Sequence, residues 1–226
     1  MSTAGPTSVT RVAIVYYSGT GNIHKLATAA AEAAEKAGAQ ARLRRVPEYV
    51  NESLAPEFTE WTEAWSENAE AMKDVPTAGI DDLDWADVVL LGAPGRFGLI
   101  AAPLKHFIDL AWPLNARRGL ANKVMSSFTS TGAPHGGQEA TILSLNNVFY
   151  HWGAIIVPPG ITDDIQTAPS NGNPYGVSSV SGRQAIPGRL AENVTEDNLA
   201  AIAYQTRRMV EIATALRQGF AMTSLE

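Results

Sequence analysis

Hydrophobic and polar positions along the chain form short apolar runs separated by longer amphipathic stretches. Apolar runs rich in β-branched and aromatic residues predict five buried strands, at 11–17, 41–46, 88–92, 123–128 and 154–157. Alanine-rich or amphipathic stretches predict helices at 22–37, 101–110, 138–150 and 195–217. Because strands that alternate with helices are joined by right-handed crossovers, the pattern predicts an α/β fold with a doubly wound parallel sheet and helices on both faces.

Two polar stretches interrupt this alternation. Residues 48–80 predict a long insertion with a surface helix, on which Trp61 and Trp65 dock against the body of the protein. Residues 160–190 are rich in Gly, Pro, Ser and Asn, and they predict a long loop that is too polar to form core. We therefore predict a disordered N-terminal tail over 1–10, a single domain over 11–219 and a C-terminal tail over 220–226.

Composition narrows the class of protein. The 226 residues are 45% hydrophobic and 18% charged, which is typical of an ordinary globular domain. A net charge of −6 predicts no nucleic-acid partner, and no apolar run reaches the roughly 20 residues of a membrane helix. The absence of Cys excludes thiolate metal sites and cysteine nucleophiles, and no metal site is predicted. The absence of Cys and a small, polar N-terminus that lacks a signal-peptide pattern together favour a cytoplasmic location.

A glycine-rich turn at 18–23, Ser-Gly-Thr-Gly-Asn-Ile, joins the first predicted strand to the first predicted helix. It lacks the lysine of an ATP-binding P-loop and the third glycine of a dinucleotide-binding turn. The side chains of Ser18, Thr20 and Asn22, together with the first amides of a helix, suit a single phosphate group. From this turn alone, a plain Ser-Gly turn that caps the helix remains an equal alternative.

Two further loops favour a ligand. On a flavodoxin-like sheet of order 2-1-3-4-5, the loops after the first, third and fourth strands meet at the carboxyl edge of the sheet, where such folds bind ligands. These loops read SGTGNI, APGRFG and STGAPHGG. Their glycines allow the backbone to approach a flat ring closely, and their amides can bind the polar edge of an isoalloxazine. Together the three loops predict a flavin mononucleotide site.

These motifs resemble the WrbA-like NAD(P)H:quinone oxidoreductases, which are FMN proteins with a flavodoxin fold. The similarity covers residues 11–182 and rests on YYSGTGNI at 16–23, RVPE at 45–48, GAPGRFG at 92–98, APLKHFID at 102–109, SSFTSTGAPHGGQE at 126–139, HWG at 151–153 and GNPYG at 172–176. The strings around Arg96 and His135 are specific to this family rather than to flavodoxins at large.

The resemblance also implies the residues of the site. Those expected at the FMN phosphate are Ser18, Gly19, Thr20, Gly21, Asn22 and Ile23. Those expected against the flavin ring are Pro94, Gly95, Arg96, Phe97 and Gly98. Those expected along the ribityl chain and the ring edge are Ser130, Thr131, Gly132, Ala133, His135, Gly136 and Gly137. His151 is expected to reach the flavin of a neighbouring subunit and to serve as the catalytic proton donor to a reduced quinone.

The activity implied by the resemblance is hydride transfer from NAD(P)H, the co-substrate, to FMN, followed by two-electron reduction of a small quinone or aromatic acceptor. A homodimer or homotetramer is also implied. Two alternatives stay open: a flavodoxin-like electron-transfer or binding protein, and an FMN reductase of a dedicated aromatic intermediate. The second is kept open by departures from the family on the expected substrate wall, at Thr20, Trp112, Asn115 and Trp152.

Overall fold

A computed structural model of the chain describes residues 9–48, 59–181 and 194–223. Its sheet is built from strands β1 to β7, which span Arg11–Tyr16, Gln40–Arg45, Val88–Arg96, Leu99–Ile100, Val124–Thr131, Ile155–Ile156 and Ser178–Val180. The order is β2-β1-β3-β5-β6, and all pairs along this path are parallel. These five strands correspond to the five predicted ones, so the predicted order 2-1-3-4-5 is confirmed.

Helices cover both faces of this sheet. Helices α1 to α7 span Asn22–Lys36, Thr59–Ala71, Ile80–Trp85, Ala102–Leu110, Trp112–Ala116, Gln138–His151 and Glu196–Thr223, and a 3₁₀ helix spans Asp164–Thr167. Successive side chains of β1 point to opposite faces, because a strand has a period of two. Val12 and Ile14 pack with α1 and α7, whereas Ala13 and Val15 pack with α4 and α6. Burial on both faces explains the continuous apolar run of β1.

The two central strands extend further than predicted. β3 continues through Arg96 because it pairs with β5 as far as Pro94 and then with β4. β5 continues through Thr131 because its polar end pairs with β3 on one side and β7 on the other. β3 then folds back on β4 as a two-residue hairpin, in which Arg96 faces Leu99. The turn residues Phe97 and Gly98 have φ angles of 55° and 75°, as in a type I′ turn. The segment predicted as an open loop is therefore a hairpin.

The stretch predicted as a long polar loop contributes to the core. Within it, β7 pairs in parallel with the end of β5, and Val177 and Ser179 are buried. Ser179 Oγ donates a hydrogen bond of 2.9 Å to Ser130 Oγ, so this hydroxyl is satisfied without water. The expectation that 160–190 is too polar for core is thus wrong for residues 177–179. Residues 182–190 lie outside the described residues.

The chain ends differ only slightly from expectation where they are described. Helix α7 extends through Thr223, three residues beyond where the predicted C-terminal tail begins at 220. Residues 1–8 of the predicted N-terminal tail and most of the insertion before α2, at 49–58, lie outside the described residues. Across the described ranges, no helix combines the length and the apolar character that crossing a bilayer requires.

Candidate functional site

A cavity of about 130 Å³ lies where β1, β3 and β5 end at their carboxyl edge. This edge is the point at which the strand order reverses, where open α/β sheets bind ligands. Many of the predicted cofactor residues line it together. The lining residues are Ser18, Gly19, Thr20, Asn22, Ile23, Trp61, Pro94, Gly95, Arg96, Ser130, Thr131, Gly132 and Ser181.

The first loop presents free amides at the start of α1. Ser18 is buried, and its Oγ accepts hydrogen bonds from the amides of Gly21 at 3.2 Å and His24 at 3.3 Å. The amides of Asn22 and Ile23, the first two helical residues, have no partner among the described residues. Both residues are buried, and a buried N–H without an acceptor is costly. An anion at this helix N-terminus would satisfy both amides, as phosphate groups do in other proteins.

The third loop is tied directly to the first. Asn22 Nδ2 lies 3.5 Å from Ser130 Oγ, which in turn accepts the hydrogen bond from Ser179 on β7. Thr131 Oγ1 donates to the carbonyl of Ala133 at 2.9 Å, and this bond closes the turn after β5. The two loops therefore form one wall whose hydroxyl and amide groups face a shared cavity.

Arg96 supplies the positive charge of the site. It is the one ionisable side chain among the described residues that line the cavity. Its Nη2 lies 3.7 Å from the position that a Cβ atom on Gly19 would occupy, so the guanidinium sits beside the first loop. Its Cζ is 6.0 Å from the centroid of the Trp61 ring, within the range of a cation–π contact. The resemblance implies that Arg96 lies at the flavin ring, whereas the geometry places its guanidinium beside Gly19 in the loop at 18–23, the predicted phosphate loop.

Sequence reasoning missed two residues of the cavity. Trp61, on α2, lines it together with Gly19 and Arg96. The interpretation that this indole docks a surface helix stays a prediction. Trp65, four residues later, lines a second cavity beside Tyr17. Ser181 follows β7, and its amide donates to the Thr131 carbonyl at 2.7 Å. Trp61 could have been expected near the cavity from its position soon after β2, because the segment that follows β2 begins at the carboxyl edge of the sheet.

Several predicted residues lie near the cavity without lining it. Gly21 precedes α1 with a φ angle of 101°, and Gly137 precedes α6 with a φ angle of 89°; both are left-handed conformations that favour glycine. Phe97 is wholly exposed at the tip of the β3–β4 hairpin. The residues of this group are Gly21, Phe97, Gly98, Ala133, His135, Gly136 and Gly137.

His151 lies far from this cavity within one chain. Helix α6 begins next to the carboxyl end of β5 and runs back along the sheet for 14 residues, which is about 21 Å at 1.5 Å per residue. His151 is its last residue and is exposed, so it sits at the opposite edge of the sheet. A role for His151 at a flavin therefore requires a second copy of the chain, as the resemblance implies, and it stays a prediction.

Tyr17, which directly precedes the first loop, is not suited to acid–base chemistry. The Tyr17 hydroxyl donates to the Glu48 carboxylate, and burial together with this negative charge raises the pKa of Tyr17 well above its usual value. Tyr17 therefore stays neutral at physiological pH. No group of His, Asp or Glu in the described ranges is arranged to hold a metal ion. The site can bind and orient a ligand, and any redox chemistry must come from that ligand.

The family model described as NADPH-dependent FMN reductase matches residues 10–165. The chain belongs to this family. It is 39% identical over 210 residues to a protein of Deinococcus radiodurans named NAD(P)H dehydrogenase (quinone), covering 93% of this chain and 98% of that one. A protein of the same name from Geobacter sulfurreducens is 38% identical over 209 residues, with coverages of 91% and 98%.

Solved structures support the fold. The flavodoxin, WrbA-like protein from Agrobacterium tumefaciens superposes with a TM-score of 0.60 at 18% identity, covering 90% of this chain and 97% of that one. Oxidised Flavodoxin 1 from Bacillus cereus gives a TM-score of 0.56 at 12% identity, with coverages of 89% and 98%. The predicted flavodoxin-like fold and the family resemblance drawn from the motifs are both confirmed.

Proposed function

We propose that this protein is an FMN-dependent NAD(P)H:quinone oxidoreductase. When bound, FMN takes two electrons from NAD(P)H and delivers them to a quinone, and the protein supplies binding and orientation. The observation that carries this proposal is the pair of amides of Asn22 and Ile23 at the start of α1, which have no partner among the described residues. They face a cavity at the ligand-binding edge of the fold, in a chain whose relatives carry the name NAD(P)H dehydrogenase (quinone).

We assign different residues of the cavity to different parts of FMN. We assign the phosphate to the loop at 18–23, where helix amides and the Arg96 guanidinium offset its charge. Ser130, Thr131 and Gly132 form the opposite wall, where hydroxyl and amide groups suit a polyhydroxyl chain. We assign the predicted loop and hairpin residues that do not line the cavity to the parts of FMN that extend beyond it; they are Phe97, Gly98, Ala133, His135, Gly136 and Gly137.

The proton that the reduced quinone takes up has to come from a group that does not line the cavity. The lining residues described so far contain no carboxylate, lysine or histidine. We therefore assign proton donation to the reduced quinone either to water or to His151 of a neighbouring copy. Because His151 is exposed at the far end of α6, it is free to approach a second chain.

We further propose a homodimer or homotetramer. Large apolar side chains are unusually exposed along one chain: Phe97 is wholly exposed, Trp112 is 70% exposed and Tyr150 is 69% exposed. Contact with a second copy would remove the apolar surface of such a side chain from water. Tyr150 precedes His151 directly, so an interface that covers Tyr150 would also bring His151 against the second copy. A location in the cytoplasm agrees with the supply of NAD(P)H there.

The test is anaerobic reduction of the purified protein loaded with FMN. We expect NADH or NADPH to bleach the visible absorbance of the oxidised flavin, and a benzoquinone to restore it. A protein that binds FMN but is not bleached by either nucleotide is an electron carrier rather than this enzyme. If bleaching occurs but no quinone restores the colour, the acceptor is a different aromatic compound. Light scattering during size-exclusion chromatography measures the oligomeric state.

A further inference from the structure

Helix α2 contacts the phosphate loop through one buried amide. Asn68 is only 5% exposed, and its Nδ2 donates to the carbonyl oxygen of Ser18 at 2.8 Å and to that of Gly19 at 3.2 Å. A single side chain thus binds two consecutive carbonyls of the loop, and it comes from the insertion that follows β2 rather than from the sheet.

These two bonds determine where the next amides point. A trans peptide is planar, so its C=O and N–H groups point in opposite directions. Because the carbonyls of Ser18 and Gly19 point to Asn68, the N–H groups of Gly19 and Thr20 point away from it. Both of these residues line the cavity, and neither amide has a partner among the described residues. With the amides of the first helical turn, they form a set of backbone donors suited to one anion.

The rest of the Asn68 side chain also faces the loop. Its Oδ1 is buried and makes no hydrogen bond in the part of the chain that the structure describes. It lies 3.6 Å from the position that a Cβ atom on Gly21 would occupy. Asn68 itself lines the second cavity, beside Trp65, and not the one beside Arg96. It therefore acts on the loop from behind, without contact with a ligand in front.

We propose that Asn68 is a positioning residue for the FMN phosphate. It holds the peptide planes of Ser18 and Gly19 so that the following amides are preorganised for the anion, and preorganised donors cost no further ordering when the ligand binds. The proposal rests on the proposed FMN-dependent function. It assigns to the 48–80 insertion a part in cofactor selection, namely the preference for a flavin that carries a phosphate.

The test compares FMN with riboflavin, which lacks the phosphate. Dissociation constants of both are measured by flavin fluorescence on the apo-protein of wild type, Asn68→Ala and Asn68→Leu, an uncharged side chain of similar size that removes the donor without leaving a cavity. We expect both variants to bind FMN roughly tenfold more weakly or worse, as expected for two lost hydrogen bonds. Riboflavin affinity should not change.

Met72→Ala is the matched control. Met72 follows α2 and packs in the core, so its truncation loosens the same segment without removing a bond to the loop. We expect its ratio of FMN to riboflavin affinity to equal that of wild type. Equal losses for both flavins in the Asn68 variants, unchanged FMN affinity, or an equal change of the ratio in Met72→Ala would each overturn the positioning role. If wild type binds neither flavin, the proposed function itself is wrong.

Discussion

Replacement of Ser18 by Ala tests whether the phosphate loop is built as the structure shows before any ligand arrives. The Ser18 hydroxyl accepts hydrogen bonds from two amides, those of Gly21 at 3.2 Å and His24 at 3.3 Å, and it is 5% exposed. Ser18→Ala removes this acceptor and leaves the amides of two half-buried residues without a partner. Each unsatisfied amide costs about 1–3 kcal/mol. Gly21, not Ser18, is the N-cap of α1, but the bond from Ser18 to the His24 amide in the first helical turn is of the same kind as a helix cap, whose loss costs about 0.5–2 kcal/mol.

Both bonds are longer than the usual 2.9–3.0 Å, so we expect the lower part of these ranges, a loss of about 1–2 kcal/mol in the free energy of unfolding. For a domain of this size, each kcal/mol corresponds to about 2–4 °C in Tm. Calorimetry of the apo-protein should therefore show Tm lowered by about 2–8 °C. Urea unfolding should show a lower midpoint with an unchanged slope.

Thr20→Ala is the matched control within the same loop. The Thr20 side chain lines the cavity but makes no hydrogen bond among the described residues, so its loss should leave the apo-protein as stable as wild type. If Ser18→Ala is as stable as wild type, or if Thr20→Ala destabilises the apo-protein equally, the hydroxyl of Ser18 does not organise the loop and the reasoning fails.

Three further predictions follow from other contacts. Gly92→Ala should lower Tm and reduce solubility, because the added Cβ atom would lie 2.1 Å from Cζ of the buried Phe128; Gly92→Ala combined with Phe128→Leu should recover part of the loss, as measured by calorimetry. Asp87→Asn should lower the free energy of unfolding, and the loss should be largest at neutral pH. Burial works to raise the pKa of Asp87, but hydrogen bonds and charge from its arginine partners outweigh this and lower it. The stability gained from the ionised carboxylate is therefore present above about pH 4 and is lost as the pH falls further, so urea titrations of the variant and wild type should converge in acid. FMN binding should quench the fluorescence of Trp61, because this indole lines the cavity. The quenching observed when FMN is added should therefore be smaller in Trp61→Phe than in wild type. In Trp65→Phe it should be retained, because Trp65 lines the second cavity instead.

The sequence alone determined the architecture and the cofactor. Buried parallel strands are local apolar runs, and helices between them impose right-handed crossovers, so the doubly wound parallel sheet followed from pattern and general rules. Its order, β2-β1-β3-β5-β6, was expected from the likeness to a flavodoxin fold. Glycine-dense loops at the ends of three strands could be read as one site for the same reason, since the carboxyl ends of parallel strands share an edge.

The tertiary structure alone decided how polar segments far apart in sequence meet. The strand at 178–180 is polar, and only its pairing with β5 and the hydroxyl contact to Ser130 account for its burial. Asn68 and Trp61 lie on a helix with no flavin-binding motif, and their relation to the phosphate loop is a contact across about 50 positions. The length of α6, not the local motif, places His151 at the opposite edge of the sheet. Such contacts depend on where whole elements pack, and the composition of a short segment does not encode that.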